Sequence, residues 1–339
     1  MTVVAGGDNT IRPSTVFLSL LPPSGTDRRL ALLVIVVSTV IFLVLAPFAK
    51  VPLVPMPGFV PAYQSALFIC DALTAAVIFG QYWIQRTRGL LLLSTAYLFT
   101  ALSIVPHTLS FPGLFAPGGL MGSGPQTTVW LYMLWHGGFP LLVVAYAFLK
   151  GDDTRLARPR VSVLASTATA IAAVLGFTIL TTAGHDLLPR LLRPDNTYTS
   201  VMFVLILGVW ALNLLALLSL WLHRPHTTLD LWMMVVMVAW TCDVGLSAAL
   251  NGKRFDLGFY AGRGYGLMAA SFVLIMLLLE TRGLYARLAR NLSDERDAAE
   301  DRAAAANRAS IESAETLRAV VDTSRQAVIA LSPEGRVLL

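Results

Sequence analysis

Residues 127–149 read TTVWLYMLWHGGFPLLVVAYAFL, with no Asp, Glu, Lys or Arg among them. A helix of about 20 apolar residues spans the hydrocarbon core of a bilayer, so this stretch reads as a transmembrane helix. Its middle is unusual for one, because His136, Gly137, Gly138 and Pro140 fall together. Pro140 has no N–H to give the carbonyl of residue 136 and clashes with it. The stretch therefore predicts a kink, a freed backbone acceptor and an imidazole at one level. The two glycines leave room for a close neighbour.

Seven more runs of similar length and character lie at 29–48, 62–85, 89–111, 161–183, 198–222, 229–250 and 257–281. Together the eight predict an all-α integral membrane protein, an eight-transmembrane-helix bundle over residues 29–281. Composition agrees. The 339 residues are 56% hydrophobic and 13% charged, with a mean hydropathy of +0.68, whereas a soluble domain carries about 25% charged residues. Residues 1–28 are polar, rich in Pro and Gly, and expected to be a cytoplasmic tail ahead of a retained anchor. An even number of spans puts both ends on one side. With that side cytoplasmic, 13 Lys and Arg up to residue 290 fall inside and five outside, as the positive-inside rule requires. The net charge of +5 is thus read by location, with the lipid bilayer as partner and no nucleic acid. Cys70 and Cys242 lie in apolar runs and are expected to be reduced thiols.

Ionisable and polar side chains inside a membrane are functional-site candidates because they are costly there unless paired or hydrated. Asp71, His107, His136, Asp243 and Arg263 all fall in the outer half of their spans, and Gln64, Tyr63, Tyr132 and Tyr260 share that layer. Their convergence predicts one ligand-binding pocket, open on the outer side. Asp243 and Arg263 are expected to pair between adjacent antiparallel helices, either fixing register or bordering the pocket. His107 and His136 have three readings. They are hydrogen-bonded or proton-sensing core histidines, ligands for a transition metal or haem b, or direct contacts for an organic ligand. In the second reading Asp71 orients one imidazole. No zinc-type Cys/His spacing supports a metal. The uncharged Gly/Pro-rich loop SFPGLFAPGGLMGSGPQ (110–126) is either a lid re-entering over the outer ends of the third and fourth spans or an ordinary surface loop. Asn213 in the sixth span is expected to bond another helix.

From residue 282 the chain turns charged and Ala-rich, and residues 282–321 have strong helix propensity. Leu284, Leu288 and Leu292 begin an apolar stripe that fades into Ala303–Ala306. This predicts a cytoplasmic helical, coiled-coil-like stalk of weak register, or a single solvated helix continuing the eighth span. The last stretch, LRAVVDTSRQAVIALSPEGRVLL (317–339), reads as helix, strand AVIAL, turn SPEG and strand RVLL. That order resembles the opening of a PAS domain, assigned to residues 322–339. Two strands bury no core, so this end is expected to be poorly ordered.

The stretches ICDALTAAVIFGQY (69–82), IVPHTLSFPG (104–113) and GSGPQTTVWLYMLWHGGFPLLVVAYA (122–147) resemble the fourth class of bacterial membrane-associated sensor domains, the MASE group. The resemblance covers about residues 30–283. It implies a sensory input module in the bacterial inner membrane, ahead of PAS modules, histidine kinases or diguanylate cyclases. A homodimer through the bundle and stalk is expected, signalling in cis to PAS and output domains. No phosphate-binding loop, catalytic triad or kinase core is present, so this stretch is expected to be catalytically inert while the full-length protein carries an output domain. The alternatives are a transporter- or channel-like protein, or a haem-binding membrane oxidoreductase.

Overall fold

The structure, a computed structural model, describes residues 17, 19–56, 58–152, 154–194 and 197–329. Among them run eight long helices: α1 (Gly25–Leu45), α2 (Phe59–Gln85), α3 (Arg88–Leu109), α4 (Thr127–Leu149), α5 (Pro159–Thr182), α6 (Ser200–Leu222), α7 (Thr228–Val244) and α8 (Leu257–Ile329). All eight are long and apolar enough to cross a membrane. The protein is an all-helical integral membrane bundle.

Local chemistry sets the helix ends. Ser24 with Asp27, and Thr227 with Asp230, form capping boxes at the starts of α1 and α7, satisfying N–H groups that have no partner within the helix. Arg86 takes the left-handed conformation, φ 58°, and ends α2 two residues before α3 begins. α7 does not stop cleanly. It widens into a π-helical segment, Gly245–Leu250, a distortion of the kind that often marks functional sites.

The chain divides into two units, Met1–Glu280 and Thr281–Leu339. In the first, α3 packs against α2, α4 and α5, α4 also meets α6, and α7 lies between α1 and α6. Leu93, Tyr97, Phe139, Val143, Met233 and Met237 make the centre of this core. α1 and α5 lie at the periphery, with Leu32, Leu33, Leu43, Leu164 and Ile179 exposed. In a bilayer such positions face acyl chains and cost nothing.

One end of the bundle is fastened by Asp230. Its carboxylate accepts bonds from Lys150 Nζ at 2.7 Å, the Tyr146 hydroxyl at 2.9 Å and the Thr227 N–H at 2.8 Å. At the other end Gln126 ties α4 to the loop before α6. Its Oε1 accepts from the N–H groups of Leu191 and Leu192, and its Nε2 donates to the Leu192 carbonyl. Asn213 is buried but bonds the Val209 carbonyl of its own helix. The expected interhelical bond is replaced by this local one, which needs no aligned partner. Cys70 and Cys242 are free thiols.

The second unit is helical over its described residues, and Leu292, Ile311, Leu317, Val320 and Val321 are exposed along it. Helix continues through Ile329, so residues 327–329 are not the strand expected there. Helical hydrogen bonds close within the local chain, whereas two strands without the rest of a sheet would bury nothing. The remainder of the expected PAS start, residues 330–339, lies outside the described residues.

Candidate functional site: a walled cavity over a buried polar floor

At the end of the bundle opposite Asp230, the chain encloses a cavity of about 590 Å³. Its walls come from α3, α4, α6 and the segment before it, the π segment, α8 and the loops 110–126 and 251–254. Phe111, Tyr132, Tyr198 and Phe259 supply aromatic surface. The loop 110–126 doubles back onto α3: Leu120 N–H donates to the Leu109 carbonyl at 2.8 Å. Gly119 makes this return at φ +86°, where a Cβ would strike the backbone of Ser110. Phe111, Pro117, Gly118 and Pro125 thereby become cavity wall, and the loop is more than a surface connection.

Of the residues expected to share a pocket, His107, Tyr132 and Arg263 line this cavity. His136, Asp243 and Gln64 do not line it but hydrogen-bond or pack against those that do, forming its floor. Tyr132 Oη lies 2.7 Å from Ser247 Oγ, and Ser247 Oγ lies 2.9 Å from Asp243 Oδ1. A hydroxyl has one hydrogen. When Ser247 gives its hydrogen to Asp243, Tyr132 must be the donor to Ser247. The other carboxylate oxygen, Asp243 Oδ2, lies 3.4 Å from His136 Nε2. His136 Nδ1 meets the Tyr132 carbonyl at 2.9 Å, one turn back on α4. The Tyr132 ring stacks on the imidazole with centroids 3.7 Å apart, and Trp135 and Trp240 enclose it. Gln64 Nε2 bonds His107 Nδ1. The polar chain runs from the cavity surface to the centre of the bundle.

Three expectations are corrected. Arg263 does not pair with Asp243. Its Nη1 donates to the Phe259 carbonyl at 2.9 Å, and its guanidinium lies 3.5 Å from the Phe259 ring centroid. Asp243 instead sits against the glycine seam of α8. A Cβ on Gly262 would come within 3.0 Å of Asp243 Oδ1, and one on Gly266 within 3.0 Å of Oδ2. Arg263, one residue past Gly262, is rotated about 100° from that seam and turns into the cavity. Asp71 stands beside Thr100, away from both imidazoles and from the cavity lining. Its span is turned so that this face meets α3. Tyr260 is likewise spent elsewhere, bridging Met56 N–H and the Val54 carbonyl.

A metal or haem held by His107 and His136 together does not fit the donors. Both ring nitrogens of His136 are engaged and a tyrosine covers one face, so His136 has no free nitrogen for an axial bond, while His107 is held at Nδ1 by Gln64. Among the described residues no three or more His, Cys, Asp or Glu side chains gather as a metal site.

Sequence reasoning missed Ser247, Trp240, Lys253 and Arg254. Ser247 follows Asp243 by four residues, a helical spacing that was legible. Lys253 and Arg254 were counted only as loop charges, yet both line the cavity. Arg254 also lies 4.9 Å from the Phe111 ring centroid.

Residues 54–285 match the family model MASE4, the membrane-associated sensor, integral membrane domain. The chain belongs to this family. The match begins just before α2 and ends two residues past the membrane part of α8, so it takes in every wall of the cavity and its floor. No curated protein and no solved structure matches the chain. Membership makes it a membrane-integral sensor domain.

Proposed function

We propose that the chain is the input module of a bacterial signalling protein, with its cavity on the periplasmic side of the inner membrane and both ends in the cytoplasm. The cavity binds a small ligand. Occupancy is passed through Tyr132, Ser247 and Asp243 to α8, and onward to PAS and output domains of histidine kinase or diguanylate cyclase type. The single supporting observation is the contact between floor and helix: Asp243 is bonded to the cavity wall through Ser247 and lies against Gly262 and Gly266 of α8. The distribution of cations supports the orientation.

A ligand biases two states only by its different affinity for them. The floor supplies such a difference if filling the cavity moves Tyr132 or Ser247. The buried floor also favours a receptor over a transporter, since its polar chain ends among Trp135, Trp240 and Phe139 rather than opening a path.

The stalk is proposed to pair with that of a second copy. Disulfide scanning of residues 300–321 in native membranes tests both points. Crosslinking is expected to recur every three or four positions, in a register that shifts in Asp243→Ala. An aperiodic pattern would argue against pairing. A periodic pattern unchanged in Asp243→Ala would argue against coupling through the floor.

A further inference from the structure

The cavity has a charge pattern that its role as a receptor pocket does not require. Lys253, Arg254 and Arg263 line it, and among the described residues no Asp or Glu does. The neighbouring carboxylates are occupied. Asp243 serves His136 and Ser247, and Asp256 accepts the N–H groups of Gly252 and Lys253 at 3.0 and 2.7 Å. None of the three cations has a carboxylate within ion-pair distance among the described residues. Arg263 is the telling one. It is only 8% exposed, and among the described residues Nη1 alone of its guanidinium nitrogens has a hydrogen-bond partner. A buried charge of this kind is normally paired, and the open space it faces is the cavity. The rest of the lining includes aromatic and aliphatic surface: Phe111, Tyr132, Met133, Tyr198 and Met202.

We propose that the cavity is a binding site for a small organic anion, a carboxylate or phosphate carried on an apolar or aromatic body. The head group sits between Arg263 and the Lys253–Arg254 rim, and the body lies against the aromatic walls. Arginine suits this role because its planar fork meets two oxygens of a carboxylate or phosphate together. The volume falls within the range of about 300–1,000 Å³ typical of small-molecule pockets. The inference rests on the receptor reading and adds the chemical class of the ligand. The same chemistry is offered by a soluble anion and by the head group of an anionic lipid.

The test uses the full chain in phosphatidylcholine nanodiscs, titrated with benzoate, phenyl phosphate and the neutral benzyl alcohol, and followed by calorimetry. At least one of the two anions is expected to bind saturably with a Kd tighter than about 1 mM, and benzyl alcohol to bind far more weakly. Arg263→Gln is expected to weaken the anion at least about tenfold. Arg254→Gln, at the exposed rim, serves as a second variant that leaves the buried core untouched, and is expected to weaken it by a smaller factor. No saturable binding by either anion, equal binding of the neutral analogue, or unchanged affinity in both variants would overturn the proposal. Repeating the titration with phosphatidylglycerol in the disc assigns the source: competition points to a lipid head group, and its absence to a soluble anion. The outcomes also separate this proposal from the receptor reading. Anion binding without any change in stalk crosslinking leaves the anion site standing and removes the receptor role. A stalk response to benzyl alcohol alone does the reverse.

Discussion

Replacing Asp230 with alanine is expected to cost about 3–5 kcal/mol of stability, the scale for breaking a buried ion pair from one side. The side chain of Asp230 is fully buried and that of Lys150 only 9% exposed. Removing the carboxylate leaves an ammonium in an apolar setting with only the Pro225 carbonyl, at 3.3 Å, still in reach. The same change takes the acceptor from Tyr146 and opens the capping box at the start of α7, whose loss alone costs about 1 kcal/mol. Asp230→Asn should be milder, because an amide oxygen still serves Tyr146 or the Thr227 N–H. Thermal unfolding in nanodiscs checks the order: wild type highest, Asp230→Asn next, Asp230→Ala lowest. If Asp230→Ala melts with the wild type, this cluster does not hold the end of the bundle together.

The second large effect is expected on the glycine seam of α8. A Cβ on Gly262 would lie 2.6 Å from Ser247 Cβ and 2.9 Å from the Asp243 carbonyl oxygen. Neither atom is the far end of a flexible side chain, so the helices must separate. Overpacking of this kind costs about 1–3 kcal/mol. Gly264 is the internal control, since a Cβ there meets nothing within 4 Å. Gly264→Ala should be neutral, or stabilising by up to about 1 kcal/mol through helix propensity. Melting curves of the two variants should therefore move apart. Gly262→Ala should in addition loosen the Tyr132–Ser247–Asp243 chain, which hydrogen exchange over residues 240–250 will report. Equal behaviour of the two variants would mean that the seam is not tightly packed.

The seam also shows what was legible in the sequence. Length and hydropathy placed all eight spans, because the bilayer imposes one requirement that each must meet alone. Exceptions to apolarity picked out His107, Tyr132 and Arg263, which do line the cavity. Pairings were harder, because a pairing depends on how each helix is rotated about its axis. Asp243 and Arg263 sit at similar depth, and depth alone made them partners. The pattern Gly262-Arg263-Gly264-Tyr265-Gly266 held the correction. Glycines four apart mark a close helix–helix seam, so Gly262 and Gly266 face the neighbour and Arg263 does not. The π segment was not legible at all. Residues 245–250 look like ordinary helix, and only the packed structure shows the wider turn from which Ser247 reaches both Tyr132 and Asp243. Asp71 misled for a simpler reason: burial against a neighbouring helix leaves no more trace in sequence than a pocket does.

The central claim is that what fills the cavity is felt in α8. It is tested most directly by filling the cavity covalently. Val129 lines the cavity and is half-buried. In a background without the two native cysteines, Val129→Cys is treated with benzyl methanethiosulfonate or with its small methyl counterpart. Hydrogen exchange along residues 257–320 is then compared. The account predicts that the benzyl group, and not the methyl group, changes exchange in α8 both at residues 257–270 and beyond residue 281. Loss of that change is expected when Ser247→Ala breaks the floor. A change confined to the cavity walls at 110–133 and 198–202, with α8 exchanging alike under both reagents, would contradict it.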